Sequence, residues 1–317
     1  MGVARETLRK ALAQLKEEGV ITSQAQAGTF INPYYCPQQR IGNKRVGILL
    51  LMKVAYATNR TLTWMSEVCR LLFQKGVDVE IHEQYRHKRG FFHRLDKMAR
   101  CDFWLMYYPT NQAVEWAAGN HLGRSLVAAT VKKETGISSV DIHYRALCYH
   151  AVGRMIHYGH RHLVLILQHR EWGADAESIA GFRQAIEHSG HPDVTGDVVY
   201  HHGTPESLCA LVDRLLERKP RPTAWLIAVA PHFLTISMYL QRRGVAVPEE
   251  ISLVSQDAEA WQHFAYPEPT RYEVNIQLLA RQTARYVLNG LRHRYRQAQE
   301  IRIIPELIPG KTLGPAP

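Results

Sequence analysis

Disulfide chemistry is missing from this chain of 317 residues. Its five cysteines, Cys36, Cys69, Cys101, Cys148 and Cys209, are scattered with no CxxC pair, so reduced thiols are expected rather than a disulfide framework or a zinc finger. No apolar run approaches the roughly 18 residues of a membrane span, and the N-terminus has no signal-peptide apolar region. The reading is a cytoplasmic protein without a membrane partner. Catalytic signatures are wanting as well. There is no nucleophile elbow and no Gly-rich dinucleotide turn. Gly310-Lys311-Thr312 ends like a phosphate loop, but Pro305 stands where its first glycine belongs and a strand pattern surrounds it. No enzyme, catalytic residue or cofactor is expected. Among the seventeen histidines, His157, His160 and His162 are close in sequence and His201 and His202 adjacent, yet ligands must converge and be backed by further partners. No metal site is read from them. Internal repeats and low-complexity segments are absent too.

What the chain does carry is positive charge. The net charge of +10 favours an anionic partner, nucleic acid first. Within the first 45 residues Arg5, Arg9, Lys10, Lys16, Arg40, Lys44 and Arg45 face only Glu6, Glu17 and Glu18. The rest of the chain is basic too, so the excess is not confined to this end. The length allows two or three domains.

Residues 5–18 read as a basic amphipathic helix, with Leu8, Leu12 and Leu15 on one stripe and Arg5 and Arg9 on another face. Gly19 stops it, and short strands at 20–22 and 29–31 flank a polar turn. Residues 34–44, with Pro37 and Gly42, read as a linker. From there the pattern changes. The run RVGILLLM at 45–52 is the continuous apolar stretch of a parallel strand covered on both faces. Strands at 77–82, 103–106, 126–128, 162–167, 198–200, 223–228 and 251–255 then alternate with helices at 62–75, 145–158, 176–188, 205–217 and 232–243. A helix at 276–296 and a strand at 301–307 close the series. Such alternation specifies an α/β fold, and the number of strands calls for two doubly wound, Rossmann-like lobes. Six tryptophans, Trp64, Trp104, Trp116, Trp172, Trp225 and Trp261, are expected to enrich the core and the interface between lobes.

Two resemblances sharpen this. Val3, Arg5, Thr7, Leu8, Arg9, Ala11, Leu12, Leu15, Glu18, Gly19 and Ile21 follow the recognition-helix half of the GntR-type winged helix, and Gly28-Thr29-Phe30-Ile31 resembles the end of its wing. Ala4 replaces the usual hydroxyl residue, Glu6 adds an anion, and Gln26 replaces a usual wing glycine. The resemblance implies double-stranded DNA as a partner. Arg5 and Arg9 would contact bases or phosphates, Thr7 a phosphate, and Gly28 and Thr29 the minor-groove edge. It also implies one or two helices ahead of this one, roughly 40 residues upstream of Met1. Either the start is set too late or the domain has decayed.

Residues 45 to 314 resemble the sensor domain of LacI-type repressors, itself similar to periplasmic sugar-binding proteins. The residues that carry this, in order, are Met155 to His162, Gly181-Phe182-Arg183, Pro222-Thr223-Ala224, Arg243 to Val254 and Pro305-Glu306-Leu307-Ile308. The expected lobes are about 45–156 with 272–296, and about 157–271 with 297–314. They follow a partial winged helix-turn-helix at 1–33. A ligand is expected in the cleft at the carboxyl ends of the strands. There Val140-Asp141 keep the family's crossover motif, but His143 and Tyr144 replace its Asp-Asn pair. Ser178 replaces an arginine, and Val229 and Ala230 replace an Asn-Asp pair. Asp257 retains the late acidic residue, though it also has a reading as a strand-end cap. His143, Ser178, Val229 and Asp257 are thus the candidate cleft residues, for an effector related to a sugar but not held in the usual way. The implied function is a dimeric transcriptional regulator on a palindromic operator. The alternative is a stand-alone binding or dimerisation module with a vestigial DNA-binding head.

Overall fold

The computed structural model describes residues 44–50, 58–83, 90–98, 100–131, 133–169, 173–293, 295 and 297–317, and ahead of them 9, 11–13, 15, 21–24, 28–31 and 42. Two six-stranded sheets dominate it. The first is wholly parallel, in the order β4 (Val77–Glu83), β3 (Lys44–Leu50), β5 (Phe103–Tyr107), β6 (Ser125–Ala128), β7 (Ser138–Ile142), β13 (Glu300–Ile303). The second repeats this winding as β9 (Thr195–His201), β8 (His162–Gln168), β10 (Ala224–Ile227), β11 (Ser252–Ser255), β12 (Thr270–Glu273), with β14 (Glu306–Ile308) antiparallel at its edge. Central strands such as β5, β8 and β10 are buried along nearly their whole length. Their continuous apolar runs permit this, because helices cover both faces.

In the first lobe α1 (Asn59–Phe73) and α8 (Ile276–Arg292) cover one face, with Trp64, Val68 and Leu72 packed on Val46, Ile48 and Phe103. Helices α2 (Phe91–Met98) and α3 (Asn111–Asn120) cover the other, around Trp104 and Trp116. In the second lobe α4 (Tyr144–His157) and α5 (Gly173–Glu187) share one core, and α6 (Pro205–Leu216) and α7 (Ala230–Arg242) the other. Gly181 lets α5 close on α4, since a Cβ there would lie 2.1 Å from the Arg145 carbonyl oxygen. Of the described tryptophans, Trp104, Trp116 and Trp225 are core residues within a lobe rather than interface residues. Trp172 lies outside the described residues.

The lobes divide the chain differently from the expected boundaries. The chain leaves the first sheet at Ile142, so α4 belongs to the second lobe. The strand expected at 301–307 is two strands in different sheets, and β13 returns 300–303 to the first lobe. Pro305, between them, has no N–H for a ladder, and apolar periodicity cannot tell which sheet a strand joins. The lobes are therefore connected three times, at 142–144, 273–276 and 303–306. Helices α2 and α3 and strands β7 and β12 were not foreseen. Each is short, and α3 carries little amphipathic pattern.

Ahead of the first lobe, Arg9, Ala11, Leu12, Ala13 and Leu15 are helical, and β1 (Ile21–Gln24) pairs antiparallel with β2 (Gly28–Ile31), Ile21 opposite Ile31. These are the helix and ribbon expected as local elements. The buried stripe is not seen: Leu12 is 41% exposed and Leu15 half-buried, because an apolar stripe stays in water until another element covers it. Arg5, Thr7 and most of the linker lie outside the described residues.

His160 is fully buried, with Nδ1 2.9 Å from Thr223 Oγ1 and Nε2 3.1 Å from both Ser252 Oγ and the Gly314 carbonyl. It ties the start of β8 to β11 and the C-terminal segment. Burial, with Arg161 nearby, lowers its pKa from 6.5. A lowered histidine value means that the unfolded chain binds the extra proton first. The contribution is therefore complete above pH 6.5 and is lost as pH falls through the folded value. His160→Gln should flatten the fall in urea-unfolding free energy below pH 6.5. An unaltered pH dependence would place the acid sensitivity elsewhere.

Candidate functional site

Helix α1 begins where the first sheet faces the second lobe. Thr58 caps it, its Oγ1 accepting the Thr61 N–H at 3.2 Å, and this aims the first turn across the cleft. Arg60 in that turn reaches the second lobe and forms an ion pair with Asp257, just beyond β11. The two side chains are only 18% and 11% exposed. Burial alone would lower the Arg60 value, but Asp257 and the nearby Tyr144, Tyr108 and Tyr107 together raise it well above normal, so the guanidinium stays charged. Asp257 Oδ1 also accepts the Ala258 N–H at 3.0 Å, and Ser255 Oγ donates to the Asp257 carbonyl at 2.7 Å. Beside it Glu259 lies near the start of α1, where the Asn59 backbone favours its carboxylate, as a helix N-terminus does. Burial and then Asp257 raise the Glu259 pKa.

Polar aromatics line the first-lobe side. Tyr107 Oη is 2.6 Å from Thr61 Oγ1, and its ring lies 5.2 Å from Trp64 and 4.8 Å from Tyr108. Tyr108 sits at φ +44, a left-handed conformation costing a bulky residue about 1–3 kcal/mol and frequent at functional sites. Tyr144 lies close to Tyr108, and burial raises the pKa of all three phenols, keeping them neutral. Asp141 is buried behind them, accepting from Thr130 Oγ1 at 2.7 Å and the Ile142 N–H at 2.8 Å. Burial raises its pKa, opposed by these hydrogen bonds and by Arg302 and Arg60. Arg60, Tyr107, Tyr108 and Asp141 surround a cavity of about 30 Å³, room for one or two waters. The lobes also touch directly: a Cβ on Gly173 would lie 2.7 Å from the Thr130 carbonyl oxygen. The cleft is shut.

Of the candidate cleft residues, Asp257 is at the centre. Ser178 lies deeper, its Oγ 3.3 Å from Gln256 Oε1, while Gln256 Nε2 is 3.1 Å from Cys148 Sγ. Burial, opposed by Ser178, pushes the Cys148 thiol up to about 12. His143 caps α4, its Nδ1 accepting from the Ala146 N–H at 3.3 Å, and its N–H donates to the Ile303 carbonyl at 2.8 Å. That makes it a hinge residue joining two crossovers. Val229 is the N-cap of α7, its carbonyl accepting from His232 and Phe233, with no side-chain cap. Arg60, Tyr107 and Tyr108 were missed by sequence reasoning. Their signal is weak: a polar turn opening a helix, and two tyrosines ending an apolar strand before Pro109. Gly28 and Thr29 open β2, and Arg9 is exposed on its helix.

Two doubly wound lobes, three crossovers and a polar cleft at the carboxyl ends of the strands define a two-lobed ligand-binding class of protein. The family described as periplasmic binding protein-like domain matches residues 152–313, just over half of the chain, and the chain belongs to that family. It is 27% identical over 133 residues to catabolite control protein A of Priestia megaterium, covering 42% of this chain and 40% of that protein. To the transcriptional regulator CelR of Thermobifida fusca it is 28% identical over 158 residues, covering 50% and 46%. The chain spans about half the length of the curated relatives it matches. Its fold is that of a LacI family transcriptional regulator from Bifidobacterium animalis subsp. lactis, at a TM-score of 0.75 and 19% identity over 86% of this chain and 98% of that one. A CelR–cellobiose complex superposes at 0.72 with 20% identity, covering 98% and 91%. The relatives are of LacI type, and the GntR-type resemblance of the first 33 residues has no counterpart among those named here.

Because a buried charge left without its partner is costly, about 3–5 kcal/mol, Arg60→Ala should release the shut state. Amide exchange at Tyr108 and Gly173 should accelerate, with Val164–Leu167 in the second sheet unaffected. Exchange at Tyr108 and Gly173 equal to wild type would show that other contacts hold the lobes together.

Proposed function

We propose that this protein is a dimeric cytoplasmic transcriptional regulator, not an enzyme. A GntR-type recognition helix and wing would bind a palindromic operator, and the interlobe cleft would sense a small, sugar-like molecule. The observation that carries the reading is the Arg60–Asp257 bridge, which makes lobe closure depend on polar groups at the one place a ligand would sit. Similarity to regulators, CelR in complex with cellobiose among them, supports the same view. The resemblance of residues 3–31 to a DNA-reading helix and wing supports the remainder.

The site suits an effector that supplies what Arg60 and Asp257 supply each other. Hydroxyl groups donate to a carboxylate and accept from a guanidinium, so a polyol could take both partners as the lobes part. A ligand shifts an equilibrium only by its differential affinity. Here that difference comes from forming hydrogen bonds in an opened cleft that the ion pair satisfies in the shut one. In a two-fold dimer the three crossovers would pass the change to the ends of the first lobes, altering the spacing of the DNA-binding segments. His143, Ser178 and Val229 serve this scheme as hinge and floor rather than as direct ligands. Asp257 is the direct contact.

The full-length protein should select a palindromic duplex from a random library, and Arg9→Ala should reduce retention of that duplex in a gel shift at least tenfold, the loss expected of a bidentate base contact. Equal retention by the variant would sink the assignment of the recognition helix. Failure of the wild type to select any duplex would favour a stand-alone binding module.

A further inference from the structure

A second cluster of ligand-type side chains lies on the edge strand β4 of the first lobe and the entrance of β5. Glu80 and His82 are two residues apart on the edge strand β4, so they share a face of the sheet. Gly47 of β3 pairs with Glu80 on one side and Trp104 on the other. Having no side chain, it leaves a hollow between them: a Cβ there would meet the Trp104 ring at 2.4 Å and Cys101 Sγ at 2.9 Å. The Trp104 ring and Cys101, just ahead of β5, fill the hollow together. Across Gly47 three ligand-type atoms converge. His82 Nε2 is 3.4 Å from Glu80 Oε2, and Cys101 Sγ is 4.0 Å from the same oxygen. All three lie within 4.8 Å of one another.

We propose that Glu80, His82 and Cys101 form a transition-metal site, for zinc or a similar divalent ion, that clamps the edge strand β4 to the entrance of β5. A tetrahedral ion with bonds of about 2.0–2.3 Å separates its ligands by roughly 3.3–3.8 Å, against 3.4 and 4.0 Å for the two separations from Glu80 Oε2. His82 Nε2 is buried, makes no hydrogen bond among the described residues and has the Glu80 carboxylate at ion-pair distance, so an ion between the two would satisfy both. The carboxylate is oriented from behind, with Arg45 Nε 3.0 Å from Glu80 Oε1, so Oε2 is the atom that faces the site. Such outer partners are what a ligating carboxylate needs. The donor set of one nitrogen, one thiol sulfur and one oxygen suits zinc or cobalt and disfavours calcium or magnesium, and water would complete the fourth position. On binding, the Cys101 thiol transfers its proton to solvent and the thiolate binds the ion. Burial and Glu80 otherwise keep that thiol protonated, its pKa pushed up to about 12. Two anionic ligands then balance the divalent charge. The cluster escaped sequence reasoning because Cys101 follows His82 at no recognised ligand spacing and the hollow that joins them is a glycine on a third strand.

Cobalt chloride titrated into the intact protein should bind at one equivalent and give the thiolate-to-cobalt charge-transfer band in the near ultraviolet. Cys101→Ser should abolish the band, and His82→Ala should weaken zinc binding, read by competition with a chromophoric chelator, by about tenfold or more. Should either variant fail to fold, wild-type protein still decides the matter: zinc should protect Cys101 from iodoacetamide, read by peptide mass spectrometry. No charge-transfer band in the wild type, a band that survives Cys101→Ser, or Cys101 alkylated equally with and without zinc would each overturn the site.

Discussion

The contact between Arg60 and Asp257 sets how the two lobes stand, because it joins two nearly buried charges, one from each lobe. Asp257 follows a strand of the second sheet and Arg60 opens a helix over the first. The neutral phenols of Tyr107, Tyr108 and Tyr144 leave the ion pair as the strongest polar interaction across the gap. Around it lie contacts that are possible only when the lobes are shut: Gly173 against Thr130, and Glu259 near the start of α1. Small or directional, these contacts follow closure more than they cause it.

The connections between lobes make this contact consequential. Three crossovers meet near His143, whose ring caps α4 and whose N–H bonds Ile303, so two of them are tied directly. The third enters α8, which packs on α1. There Trp64 Nε1 donates to Thr283 Oγ1 at 3.3 Å, one turn along α1 from Arg60. A change at the ion pair is thus felt by a helix that spans the first lobe. Packed helices and sheets move as units, since interiors are too dense to deform gradually. Hinge motion about the crossovers is the natural response.

Strand and helix positions were legible to within a few residues wherever a long apolar run or an amphipathic period marked them, as at β3, β8 and α7. Legibility failed for α3, too weakly amphipathic to register, and for the last strand, where Pro305 splits one apolar run between two sheets. At the site, Asp257 was visible from its motif. Its partner Arg60 is 197 residues away and shares no pattern with it. His143 was placed in the cleft from the motif it interrupts, yet its imidazole is committed to a helix cap.

By itself the sequence determined an α/β protein of two similar lobes, because apolar periodicity reports which faces are covered, while the cleft at their strand ends came as an implication of the resemblance to LacI-type sensors. The same resemblance pointed to Asp257, one half of the central ion pair. Tertiary structure alone decided which lobe owns α4 and β13, that the cleft is closed, that Arg60 is what closes it, and that Glu80, His82 and Cys101 converge over Gly47. Those outcomes depend on distances between segments remote in the chain, and local pattern carries no information about which remote charge or thiol will be brought within reach.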